Sequence, residues 1–174
     1  MRTSLIAALG AACLLIAAPL AQAQDKPTDP QIAHIAYTAG VIDIEAAKLA
    51  LTKAQNEEVV AFAQSMQADH EAVNAQALEL LEKLDVTPED NPVSMALTQA
   101  AAEKRAELAA LEGAAFDAAY LDNEIAYHKQ VNEALETVLI PSAENAELKE
   151  LLETGLKLFQ GHQQHAEHVA ADLQ

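Results

Sequence analysis

Phe62–Asn74 reads FAQSMQADHEAVN, and 58 residues further on Tyr120–Asn132 reads YLDNEIAYHKQVN. Superposing His70 on His128 brings Phe62 onto Tyr120, Val73 onto Val131 and Asn74 onto Asn132. The first histidine sits in the row Val59, Ala63, Met66, His70, Val73, Ala77, Leu81, Leu84. The second sits in Leu121, Glu124, His128, Val131, Leu135, Val138. Residues recurring three and four apart form one stripe of a helix, the stripe that packs inward. Each stretch therefore predicts a long helix carrying an inward histidine near its middle.

The flanking segments supply three more helices. Asp29-Pro30 reads as an N-cap followed by a proline in the first helical position, opening a helix over about 30–54. Its apolar row is Ile32, Ile35, Ala39, Ile42, Ala46, Leu49, with Glu45 at the edge. A neighbouring face of small residues (Ala36, Gly40, Ala47, Ala50, Ala54) has Asp43 in its middle and allows another helix to come close. Asn56 caps the second helix, with Glu57 and Glu58 well placed in its first turn. Thr87-Pro88 and Asn91-Pro92 are successive start signals for a shorter helix over about 92–111, which Gly113 ends. The fourth helix covers about 115–139, and Pro141-Ser142 breaks the chain. A fifth over about 145–172 carries the row Leu148, Leu152, Gly155, Phe159, His162, Ala166, Val169, Leu173.

Four helices of this length are each about 40 Å long at 1.5 Å per residue. The shorter third helix and its flanks give enough chain to travel back along a bundle. The expectation is all-α: a ferritin-like antiparallel four-helix bundle, two hairpins joined by one long crossover that contains the extra helix.

The N-terminal stretch has the form of an export signal. Arg2 is the positive end, Leu5–Leu20 the apolar run and Ala21-Gln22-Ala23 the cleavage site. Cleavage after residue 23 leaves a short linker, 24–29, and one domain over 30–174, in the periplasm or otherwise exported. It also removes Cys13, the chain's one cysteine, and with it disulfides and thiolate catalysis. No later run approaches the roughly 20 apolar residues of a membrane span. Losing Arg2 takes the formal charge from -17 to -18, which excludes nucleic acid and anionic lipid as partners and is compatible with cations or a basic protein. Aromatics are 3% and Trp is absent, too few for base- or sugar-stacking platforms.

Heights along the helices matter most. Asp43, Glu45, His70, His128 and His162 all fall near helix midpoints, with Glu124 on the same inward row as His128, and midpoints meet at one level whichever way neighbours run. Three imidazoles and several carboxylates at one level suit a single transition-metal ion: iron, copper, zinc or manganese. Asp69, Glu124 and Tyr127 are the outer acceptors available to orient the rings. The alternative is three core histidines hydrogen-bonded to one another or to buried carboxylates. His34 is expected at the solvent, His165 at the flank and His168 outside; a surface pair between the last two, or Met66 beside His70, is a weaker metal reading. A diiron site needs Glu-x-x-His pairs, but Gln67, Ile125 and Phe159 stand three residues before the three histidines.

The ordered set V-x-x-F-A-x-x-M-x-x-D-H (Val59–His70), G-x-x-F-D-x-x-Y-L (Gly113–Leu121) and H-x-x-x-A (His162–Ala166) resembles the exported bacterial family called domain of unknown function 4142, over Ile32–Leu173. The resemblance implies a ferritin-like bundle and no established activity. By it, the family's first acidic position falls on Asp43 and its D-H pair on Asp69 and His70. Its F-D and Tyr fall on Phe116, Asp117 and Tyr120, and its later histidines on His128 and His162. The chain departs in having Asp43 for a usual Glu and Ala47 for a common Gly. Three functional classes follow: metal storage, scavenging or stress protection; a non-metal envelope module acting through its acidic surface; and a redox enzyme with a mononuclear His/carboxylate centre.

Overall fold

The computed structural model describes residues 26–173, so the leader and its cleavage site lie outside the described residues. The helices are α1 (Asp29–Lys53), α2 (Glu57–Leu84), α3 (Pro92–Ala109), α4 (Gly113–Ala134), α5 (Ile140–Ser142) and α6 (Ala146–Asp172). No strand occurs among the described residues, and none of their helices is long and apolar enough to cross a membrane.

Three helix starts are capped by asparagine side chains that accept backbone N–H groups otherwise left without partners. Asn56 accepts from Glu58 and Val59, Asn91 from Val93 and Ser94, and Asn145 from Glu147 and Leu148. The first start differs from expectation. Thr28 is the cap residue, its backbone N–H donating to Gln31 Oε1, and Asp29 is already helical. The Asp29 carboxylate instead accepts from the backbone N–H groups of Glu144 and Asn145, at 2.9 and 2.8 Å, tying the start of α1 to the start of α6. Gly113 does not close α3 but opens α4, at φ +59, a conformation that strains any residue with a Cβ.

Pro141 does not break the fourth helix where expected. α4 runs through a π turn, Leu135–Leu139, into α5, and the chain turns away only at Ala143. A proline ring collides with the carbonyl four residues back and offers no N–H. The helix accommodates this by widening: the Ile140 N–H reaches Leu135 O, five residues back.

Contacts fix the bundle directions. Asp43 faces His70 and Tyr37 faces Asn74, so α1 and α2 are antiparallel. Asn132–Gln163 and Glu136–Gln160 make α4 and α6 antiparallel. Asp69–His162 and Lys83–Glu147 do the same for α2 and α6, and Ala39–Tyr127 and Lys53–Glu112 for α1 and α4. α2 and α4 therefore point the same way, and α3 carries the chain back between them. It runs along α1 from Asn91, whose amide donates to Gln31 O, to Leu108, which lines one groove with Ile42 and Ala46. The ferritin-like topology and the crossover helix stand as the sequence predicts.

Asp117, buried in the first turn of α4, accepts from the N–H groups of Gln55 and Asn56 at 3.1 and 2.9 Å and so holds the α1–α2 turn. Asp117→Ala is expected to lower the unfolding free energy by about 2–3 kcal/mol in denaturant titrations, the usual cost of losing hydrogen bonds to a charged group. An unchanged value would mean the two amides are equally well served by water.

The core has two apolar halves. Val59, Phe62, Met66, Phe116, Tyr120 and Leu121 fill the end at the α1–α2 turn. Ile32, Ile35, Leu81, Leu135, Leu148 and Leu152 fill the other. Between them lies a layer that is not apolar.

Candidate metal centre

Asp43, His70, Asn74, Glu124, His128, Asn132 and His162 are all buried in this layer. The echo in the sequence is explained by it: α2 and α4 run in the same direction, so Phe62 meets Tyr120 at 6.1 Å between ring centroids and His70 meets His128 at 5.7 Å. His162 comes in from α6, 5.2 Å from His70 and 5.5 Å from His128. One nitrogen from each of the three rings lies within 4.8 Å of the others. A tetrahedral zinc with bonds of 2.0–2.1 Å needs nitrogens about 3.4 Å apart, so modest side-chain rotations close the set.

The outer contacts decide which nitrogens are free. His128 Nδ1 is 3.0 Å from the Glu124 carbonyl, which can only accept; Nδ1 therefore carries the proton and Nε2 keeps its lone pair. His162 Nε2 donates to Asp69 Oδ2 at 3.0 Å, leaving Nδ1 as the free nitrogen. His70 Nε2 is 3.4 Å from Asp43 Oδ2 without hydrogen-bond geometry, and both its nitrogens lack a protein partner. His128 Nε2 and His162 Nδ1 also lack one. Phe159 stacks on His70 at 4.8 Å and 10°, and Gly155, one turn earlier, makes room for the ring: a Cβ there would stand 3.3 Å from it.

Burial sets the protonation states. It lowers His70 to about 2, helped by the neighbouring His128 and His162, and lowers His128 to about 4. Burial also lowers His162, against the pull of Asp69. The three rings are neutral at pH 7, the form that ligates. Burial pushes Glu124 up to about 8 and Asp43 well above the ordinary carboxylate range, Asp43 also because Glu124 is beside it. Two buried carboxyls this close cannot both ionise without mutual repulsion, so one of them keeps a proton.

Two of the residues singled out from the sequence stand elsewhere. Glu45 is on the exposed side of α1, its side chain 46% accessible and 3.8 Å from Lys48, and takes no part in the layer. Tyr127 is not an acceptor for a histidine; its hydroxyl donates to Ala39 O at 3.2 Å. His34, expected at the solvent, is half-buried beside Asp90 at 3.1 Å; His165, expected at the flank, is exposed with its ring edge-on to Phe62 at 5.1 Å, and His168 is exposed as expected. Asn74 and Asn132, one turn beyond their histidines, belong to the layer; the repeated H-x-x-x-N was the signal for them. Asn74 donates to Tyr37 O at 3.4 Å and lies against Gly40, where a Cβ would come within 2.3 Å of its Oδ1. Gly40→Ala is therefore expected to cost about 1–3 kcal/mol, with much of it restored by adding Asn74→Ala; additive losses in a double-mutant cycle would show the contact to be unimportant.

A cavity of about 910 Å³ lies in the adjoining half of the bundle, lined largely by apolar residues such as Ile35, Val73, Leu81 and Leu152, and reaches the layer at Asn74 and Phe159.

The sequence profile of a domain of unknown function, DUF4142, matches residues 16–169. The chain belongs to this family. The DUF4142 chain matches no curated protein. Among solved structures it is similar to a DUF305 protein of Streptomyces coelicolor described as secreted, with a TM-score of 0.70 at 11% identity, over 82% of this chain and 91% of that one. At that identity the likeness is one of fold.

Proposed function

We propose that this DUF4142 chain is an exported helical-bundle protein that binds one transition-metal ion through His70, His128 and His162, for storage, scavenging or protection against metal stress. The observation that carries the reading is the set of free imidazole nitrogens in the bundle interior, two of them on rings anchored through the other nitrogen. Metal-bound histidines characteristically donate their second N–H to a carboxylate or carbonyl, as His162 does to Asp69 and His128 to Glu124. Without a ligand each unpartnered buried group costs about 1–3 kcal/mol, and an ion offsets that cost. Imidazole donors and the affinity order of divalent ions favour copper and zinc over iron and manganese. Export is supported by the Arg2–Ala23 leader pattern and by the secreted description of the DUF305 protein.

Cobalt(II) tests the nitrogen set directly. One equivalent should give the intense visible bands of a four-coordinate ion, and zinc should displace it. Pale six-coordinate spectra at all ratios would rule the site out.

A further inference from the structure

Asp43 and Glu124 form a second group with His128, one ligating atom from each lying within 4.8 Å of the others. Both acids are almost wholly buried, at 3% and 1% exposure. Buried carboxylates are ordinarily matched by a cation or by several donors. Here no lysine or arginine of the described residues is buried, and the one side-chain amide that reaches Glu124, that of Asn123, is 3.3 Å from Oε1. Glu124 Oε2 has no partner in the protein. A separate residue points to the same place. The Tyr120 hydroxyl, one turn before Glu124 on α4, is fully buried and also without a partner, and burial, then the nearby Glu124 and Asp43, hold its proton more tightly. A phenol and two carboxyls, all of oxygen, adjoin three imidazoles, all of nitrogen, with His128 common to both groups.

We propose that Asp43 and Glu124 hold a second, harder divalent cation of the manganese(II) or iron(II) class beside the nitrogen-bound ion, giving the bundle a mixed two-metal centre. This second position rests on the nitrogen site proposed for His70, His128 and His162. Oxygen donors suit manganese and iron as imidazoles suit zinc and copper, so the layer is sorted by donor type into two positions. His128 lies between them. Binding displaces the proton that the carboxyl pair otherwise keeps, and the cation becomes the partner that Glu124 Oε2 lacks.

The experiment is to load metal-stripped protein with one equivalent of zinc, then titrate manganese(II) and follow the loss of the free aqua-manganese spectrum by electron paramagnetic resonance. One manganese per chain is expected, bound at least tenfold more weakly in Asp43→Asn and in Glu124→Gln, with zinc still at one equivalent. Glu45→Gln, on the exposed side of α1, should bind like the unaltered protein. Circular dichroism checks that the two near-isosteric variants stay helical. If one fails to fold, the unaltered protein still decides the question by its stoichiometry. Zinc-loaded protein that takes up no manganese overturns the second position and leaves the nitrogen site standing. Isosteric variants that bind manganese normally overturn it too. Manganese uptake by the carboxylates in a protein that refuses zinc would sink the nitrogen site instead, and binding of neither ion would sink both.

Discussion

Replacing His70 with alanine lowers affinity for zinc or copper by at least about 100-fold. Losses of 10–100-fold follow from disturbing only an outer-shell partner, and His70 is a direct ligand in the proposed site. It stands 5.7 Å from His128 and 5.2 Å from His162 between ring centroids, with neither nitrogen engaged by the protein. His128→Ala and His162→Ala should match it, since an ion with two imidazoles left has lost a third of its protein donors. Asp69→Asn should cost about 10-fold, because it disturbs the acceptor that holds His162 Nε2–H and frees Nδ1. His34→Ala, at the far end of α1 beside Asp90, should bind as the unaltered protein does. Competition against a chromophoric chelator measures all five. Unaltered affinity in the three layer variants would return these histidines to the role of buried hydrogen-bonding residues.

Metal-free protein should be most stable across a plateau from about pH 4.5 to 6.5, with losses on both sides. The signs follow from proton counting. In the unfolded chain histidines bind protons at about their ordinary 6.5, but in the fold His128 waits until about 4 and His70 until about 2. As the pH falls below 6.5 the unfolded state takes up more protons and stability is lost, down through those folded values. Glu124 behaves oppositely. Unfolded, it ionises near 4.5; folded, it keeps its proton to about 8, so its stabilising contribution is complete below 4.5 and is lost as the pH rises through 8. Asp43, raised for the same reason, adds to that loss. Between 4.5 and 6.5 the two trends oppose each other. Each tenfold change in proton affinity is worth about 1.4 kcal/mol, so the slopes are measurable in denaturant titrations across pH. Zinc at 1,000 times its Kd should add about 4 kcal/mol, and most usefully above pH 7, where the carboxyl pair weakens the metal-free layer while the three rings stay neutral. A metal-free curve that climbs steadily from pH 5 to 8 would contradict a buried carboxyl pair that keeps a proton.

Much of this was legible in the sequence because helices convert position into height and face. His70, His128 and His162 each stand near a helix midpoint in an apolar row, and midpoints coincide in any antiparallel bundle. The repeated H-x-x-x-N brings Asn74 and Asn132 with them. What periodicity could not resolve was α1. Asp43 and Glu45 are two residues apart, about 200° around a helix of 3.6 residues per turn, so they cannot both face the layer. α1 is wrapped by α2, α3 and α4, and Ile44 between them is buried as well. An element apolar on nearly every side has no stripe with which to choose. Tyr127 failed for a related reason, since its hydroxyl finds the Ala39 carbonyl on a helix that the sequence does not show to be adjacent. Pro141 was read as a stop, but a proline near a helix end can be absorbed by a single π turn. The stacking of Phe159 on His70 depends on side-chain rotamers and on the space left by Gly155, neither of which spacing records.

The most direct test is the metal content of the untagged protein recovered after export to the periplasm, measured by mass spectrometry beside His70→Ala. A nitrogen-bound ion in the layer predicts about one equivalent of zinc or copper in the unaltered protein, absent from the variant. Protein that is metal-free as recovered, and that takes up none of zinc, copper, iron or manganese when they are added, would contradict it.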